Sequence, residues 1–96
     1  MPTYVSFSRY TQQGIEKIKE SPKRLDAVKD LIRKAGGEFK AFYLVTGQYD
    51  ALIIFDAPND EASTKIMLKV GSLGNVRTET CRAFTEEEFR KLTASF

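Results

Sequence analysis

The 96-residue chain contains no histidine and no tryptophan, and a single cysteine, Cys81. Without histidine there is no Ser-His-Asp or Cys-His nucleophilic system and no imidazole ligand for zinc or iron. One cysteine can make neither an internal disulfide nor a thiolate metal site, so cysteine usage gives no sign of an oxidising compartment. Carboxylates alone can hold Mg²⁺ or Ca²⁺, but the Asp/Asn-rich loop of a calcium site is missing. No cofactor and no metal are expected. Also absent is any apolar run of the roughly 18 residues a membrane span requires. Met1-Pro2-Thr3-Tyr4 lacks the basic-then-apolar pattern of a secretory leader. A cytoplasmic location is the expectation, with no membrane partner.

A large excess of one charge is missing too. Fifteen Lys and Arg stand against thirteen Asp and Glu, for a net charge of +2, and the isoelectric point is near 8.7. A nucleic-acid-binding domain is expected to carry a clustered basic face and a value above roughly 9. The densest basic group, Lys17, Lys19, Lys23 and Arg24, is interrupted by Glu16 and Glu20 and reads as a solvated helix face. What is present is a globular composition, 42% hydrophobic and 29% charged. The length fits one domain, residues 1–96. A chain this short buries only about 60–65% of its unfolded surface, so a partner subunit would add much.

Residues 3–9 alternate, with Val5 and Phe7 on one face and Tyr4, Ser6 and Ser8 on the other, which predicts a strand. Thr11 is placed to cap a short helical segment that Gly14 weakens. Ser21-Pro22 predicts a helix start with a capping hydroxyl. Leu25, Val28, Ile32 and Ala35 then make an apolar stripe, Asp30 and Lys34 an i,i+4 pair, and Gly36-Gly37 the stop. Residues 38–45 and 49–56 predict a hairpin around the turn 46–48. Asn59 is placed to cap a second helix, stopped by Gly71 and Gly74. Residues 75–83 predict a polar edge strand, and 85–92 a terminal helical turn with Thr85 and Glu88 as a capping box. The order β-α-β-β-α-β with two single-striped helices predicts an α+β, ferredoxin-like two-layer sandwich.

Two helices cover one sheet face, yet the third strand is apolar on both: Ala51, Ile53 and Phe55 against Leu52 and Ile54. The second strand reads the same way, with Phe39, Ala41, Tyr43 and Val45 against Phe42 and Leu44. Strands apolar on both faces are normally covered on both, and soluble monomers rarely leave such a patch open. A homodimer or larger homo-oligomer, packed sheet to sheet, is expected. The competing expectation is a monomer whose segment 85–96 folds back over the sheet.

Three segments carry a family resemblance: Gly47-x-Tyr49-Asp50 before the third strand, Ser21-Pro22-Lys23-Arg24 at the main helix, and Gly71-Ser72-Leu73-Gly74-Asn75-Val76-Arg77-Thr78 leading into the last strand. Together they resemble the GYD-domain family of small, mostly prokaryotic proteins. The resemblance runs over nearly the whole chain and implies a dimeric α/β barrel, two ferredoxin-like subunits packed sheet to sheet. That broad group includes cofactor-independent monooxygenases and the ligand-sensing domains of leucine-responsive regulators. No activity transfers with the fold.

Candidate ligand-binding residues are Tyr4, Ser6, Tyr43, Gly47, Tyr49, Asp50 and Arg77. Gly47 is expected to supply a positive φ, Asp50 to bind turn or neighbouring amides, and Tyr49 to pack with its hydroxyl at a rim. Each residue type also has a sufficient structural role in a turn. Arg77, Glu79 and Cys81 share one face of the last strand; Arg77 can pair with Glu79 or meet an anion, or simply keep an edge soluble. Cys81, with no histidine to activate it, reads as a small hydrophobe. Tyr4, Ser6, Ser8 and Tyr43 are expected on the sheet face away from the helices, where two copies would enclose a pocket. Pro2 would be a basic secondary amine only with Met1 removed. RNA-recognition modules share the element order, but the third strand here is flanked by Asp50 and Asp56 and lacks their basic aromatic motif, so no nucleic acid is expected. The leading expectation is a homo-oligomer that binds or senses a small organic ligand. The alternative is a cofactor-independent enzyme, monooxygenase- or isomerase-like, acting on an acidic organic substrate through Tyr49, Asp50 and Arg77.

Overall fold

The computed structural model describes residues 1–96. Strand β1 (Thr3–Tyr10) leads into a short helix α1 (Gln12–Glu16), where the Thr11 hydroxyl accepts from the Gly14 amide at 3.1 Å. A 3₁₀ turn, Ile18–Glu20, runs directly into α2 (Ser21–Lys34). Because the chain enters α2 from a helical turn, Ser21 lies inside the helix and does not cap it. Its hydroxyl sits 3.2 Å from the Tyr10 hydroxyl instead. Asp30 pairs with Arg33 at 2.9 Å rather than with Lys34. Gly36, at φ +84°, stops the helix in the left-handed region that glycine adopts freely.

Strand β2 (Glu38–Leu44) and strand β3 (Ala51–Asp56) follow. Their connection, residues 45–50, is longer than a three-residue turn; the Val45 amide donates across it to the Asp50 carbonyl at 2.9 Å, and the Asp50 amide donates to the Ser8 carbonyl of β1 at 2.9 Å. Asn59 then caps α3 (Asp60–Ser72), accepting from the Ala62 amide at 2.9 Å. Strand β4 (Val76–Ala83) and helix α4 (Glu86–Ala94) complete the chain. Thr85 and Glu88 form the reciprocal capping box. The four strands pair antiparallel in the order β2-β3-β1-β4, the ferredoxin-like α+β arrangement. No helix is long and apolar enough to cross a membrane.

Helices α2 and α3 cover one sheet face. Ile32 from α2 and Ile66, Met67 and Val70 from α3 close over Tyr4, Ile53 and Phe55. A bulge at Lys40 shifts the phase of β2: Phe39 lies opposite Phe55, but Ala41 lies opposite Ile54. Phe39 and Phe42 therefore both join the core, and Phe39 does not share a face with Ala41 and Tyr43.

The structure corrects the expected orientation of β1. Tyr4 and Ser6 do not face away from the helices; they are only 4% and 2% exposed, inside the helix–sheet layer. Register decides this. Val5 lies opposite Ile54 and Phe7 opposite Leu52, so these four apolar side chains share the open face. Alternation separates the two faces of a strand without saying which one the helices cover. Tyr43 does lie on the open face, 58% exposed.

Helix α4 does not fold back over that face. Phe89 is 58% exposed and Phe96 97% exposed, with Phe84 and Leu92 also at the surface. The radius of gyration, 14.3 Å, exceeds the roughly 12.5 Å expected of a compact chain of this length, and the smallest dimension is 17 Å. That thickness is one sheet plus one helix layer.

Candidate functional site

Two regions bring polar side chains together. The first is the loop before β3. Gly47 takes φ +133°, with open space around its α-carbon. Tyr49 lies on the open sheet face, its ring 4.8 Å from that of Phe7 and 4.6 Å beneath the Arg9 guanidinium. Its hydroxyl donates to Glu79 at 2.5 Å, and the bond to that carboxylate, more than burial, holds the phenol above its ordinary pKa. Asp50 turns to the strand edge and accepts from the Tyr10 amide at 2.9 Å. Arg77 stands opposite Arg9 in the register, at the same end of the open face. Tyr49 and Arg77 thus share a surface with Glu79, while the Asp50 carboxylate holds the end of β1. The three do not converge on one cavity, and none of them lines either of the two described next.

The second region lies beneath β1. All four inward positions of this central strand, Tyr4, Ser6, Ser8 and Tyr10, carry hydroxyls, and Thr78 and Thr80 of β4 stand beside Ser8 and Ser6. Thr80 donates to Ser6 at 2.9 Å, and Ser6 donates to the Met67 sulfur at 3.3 Å. Serine is too short to fill the space between sheet and helices that a core leucine would occupy. A partly enclosed cavity of about 90 Å³ remains there. The sheet side carries the hydroxyls of Ser6, Ser8 and Thr78 beside Phe42 and Ile53, and the helix side is apolar, with Leu25, Val28 and Val70. Tyr10, Ser21, Arg24 and Asn75 complete the lining.

A shallower groove of about 450 Å³ runs between α3 and β4. Its polar groups are largely spent on each other. The Tyr4 hydroxyl donates to Asp60 at 2.5 Å. Arg82 stacks 4.3 Å over Phe84, pairs with Glu88 at 3.6 Å and reaches the Thr3 and Ala83 carbonyls. Burial, reinforced by the Asp60 bond and charge and opposed by Arg82, pushes the Tyr4 phenol up to about 12.

Arg24, Tyr10, Ser21 and Thr78 are not among the candidate ligand-binding residues that the sequence offers, and Arg24 reads there as part of a solvated face. The available signal was the run of inward hydroxyls on β1, unusual for a central strand. The side on which the helices lie had to be known before it could be used. No group of three metal-ligating side chains occurs.

Comparison with known proteins places this geometry. Over 84 residues the chain is 33% identical to the glutamine synthetase and cystathionine beta-lyase binding protein of Thermus thermophilus, covering 86% of this chain and 88% of that one. The solved structure of TTHA0845, also from T. thermophilus, is similar at 25% identity and a TM-score of 0.56, over 88% of this chain and 95% of that one. A feast or famine regulatory protein from M. tuberculosis, complexed with L-methionine, shares the fold at 14% identity and a TM-score of 0.67 over 88% of this chain. The present chain spans about half of that regulator, 51% of its length. The GYD domain matches residues 4–93, from Tyr4 at the start of β1 to Thr93 near the end of α4, and the chain belongs to the GYD domain family.

Proposed function

We propose that this protein is a homo-oligomeric binding or sensing protein, with copies packed through their open sheet faces and a small organic ligand held in the cavity beneath β1. The observation that carries the reading is the sidedness of β1. Val5 and Phe7 point to solvent while Ser6 and Ser8 point to the helices, the reverse of a strand built for a monomer's core. The outer apolar face calls for a cover, and α4 does not provide one. The inner hydroxyls line a concave apolar space with a few polar groups, the usual composition of a ligand site. The names of the relatives are compatible with a binding role: one is a binding protein, and one regulator was solved with L-methionine. Light scattering on the purified chain tests the assembly. Wild type is expected to run as a dimer or larger and Phe7→Asp as a monomer; a monomeric wild type at tens of micromolar overturns the reading.

Helix α4 supports a second reading. Phe89 and Leu92 sit at helical spacing on α4 and have no cover, and Phe96, just past the end of the helix, is exposed too. The T. thermophilus relative is named for binding two enzymes, and α4 would serve as the element that docks on such a partner. Titration of purified glutamine synthetase with the wild type and with Phe89→Ser tests it. Saturable binding lost in the variant is expected; equal binding by both rejects α4 as the contact.

A further inference from the structure

We infer that the cavity beneath β1 takes a short-chain organic acid, its carboxylate against Arg24 and its chain between Leu25, Val28 and Ile53. The inference rests on the reading of this protein as a small-ligand binder and names the chemical class. Arg24 is the one charged side chain lining the cavity, and no carboxylate lines it. The guanidinium is held in place: Nη1 donates to the Lys17 carbonyl at 3.0 Å and Nη2 to the Gly14 carbonyl at 3.1 Å. Those two bonds use two of the five donors of a guanidinium and fix its plane. Arg24 makes no ion pair with any acidic residue. A fixed, half-buried cation without a counter-charge, at a cavity without acids, favours an anion and repels an ammonium group.

The rest of the site argues for a small carboxylate rather than a larger or more polar anion. The 90 Å³ available is several times the roughly 10–15 Å³ a single water requires, room for a short chain and not for a large ligand. Most of the lining is apolar, which suits a hydrocarbon chain. Ser8 has hydrogen-bonding capacity to spare, since its bond to the Ala51 carbonyl is long at 3.4 Å. The groove between α3 and β4 differs on this point, because Arg82 already has Glu88 and the Phe84 ring.

The test uses three probes of six non-hydrogen atoms each, butanoate, 1-pentanol and pentylamine, titrated into the ¹⁵N-labelled full chain. Butanoate is expected to give saturable shifts at the amides of Ser8, Tyr10, Val28 and Thr78. Pentylamine should give none, and 1-pentanol should bind roughly tenfold or more weakly, the range of one hydrogen bond to a charged group. Arg24→Gln should bring butanoate down to the level of 1-pentanol while leaving 1-pentanol binding unchanged, which also shows that the variant is folded. Ser8→Val, which fills the cavity, should weaken both probes. Equal binding of butanoate and 1-pentanol to wild type, or butanoate binding unaffected by Arg24→Gln, overturns the acid class while leaving a small-ligand site standing. No saturable shift with any probe overturns both.

Discussion

Gly14 interrupts a helical turn, and helix propensity alone would favour alanine there by roughly 0.5–1 kcal/mol. The tertiary structure reverses the sign. A β-carbon at this position would stand 2.0 Å from the Asn75 carbonyl oxygen, on the backbone that leads into β4. Gly14→Ala is therefore expected to destabilise the protein by about 1–3 kcal/mol, read as a lower urea midpoint with an unchanged slope. Tyr4 supplies a second residue-scale prediction. Its phenol ionises at about 12 in the folded protein, against about 10 in an unfolded chain. The folded state therefore holds this proton where the unfolded state has lost it. The stabilisation is complete below pH 10 and is lost as pH rises from 10 to 12. Relative to Tyr4→Phe, wild type should lose stability across that window in denaturant melts and level off above it; parallel pH profiles would show that Tyr4 is not tied down by burial and Asp60.

At the scale of elements, β1 and α4 are each amphipathic on a side their own chain leaves uncovered. In α4 the amphipathic character has no packing behind it, so the helix depends on its cap and on i,i+4 pairs such as Glu86–Arg90 at 2.7 Å. Thr85 accepts from the Glu88 amide at 3.1 Å. Thr85→Ala should cost about 1 kcal/mol of local helix stability, with faster amide exchange over Glu86–Ala94 and little change in the global melting temperature. An equal loss in both would mean that α4 is part of the cooperative fold. Glu88 is held below the ordinary glutamate value, chiefly by its bond from the Thr85 amide, opposed by burial and supported by the Thr85 side chain and the Arg82 charge. Its contribution to the cap is therefore present above pH 4.5 and lost as pH falls further.

For the whole molecule, the uncovered sheet face dominates. Val5, Phe7, Leu52 and Ile54 form a contiguous patch, flanked by Tyr43 and the Tyr49–Phe7 contact. An assembly that buries this patch links folding to association, so the melting temperature should rise with protein concentration. Ile54→Lys should abolish that dependence; a melting temperature constant over a hundredfold range of wild-type concentration would argue against association through this face.

Element order, both caps at Asn59 and Thr85, the stop at Gly36 and the doubly apolar β3 were all legible in the sequence. They depend on local chemistry: a side-chain oxygen three residues before an amide, a glycine at positive φ, a period of two. The GYD segment was legible as a pattern, and its glycine acts locally through a positive φ, but the partner of Asp50, the Tyr10 amide on β1, was not legible because it comes from a distant strand. Sequence could not say which face of β1 meets the helices, because alternation is symmetric between faces until register joins Val5 to Ile54 and Phe7 to Leu52. Nor could it place Lys40 in a bulge, which moves Phe39 and Ala41 to opposite sides. The facing of β1 put Tyr4 and Ser6 inside and left a cavity where serine is too short to fill the layer; Arg24 of α2, tied to the Lys17 and Gly14 carbonyls, lines it. By itself the sequence determined the elements and the need for a cover over an apolar sheet. Only the tertiary structure decided where the space lies and that Arg24 borders it, because the cavity is enclosed by residues far apart in the chain, from Ser6 to Thr78.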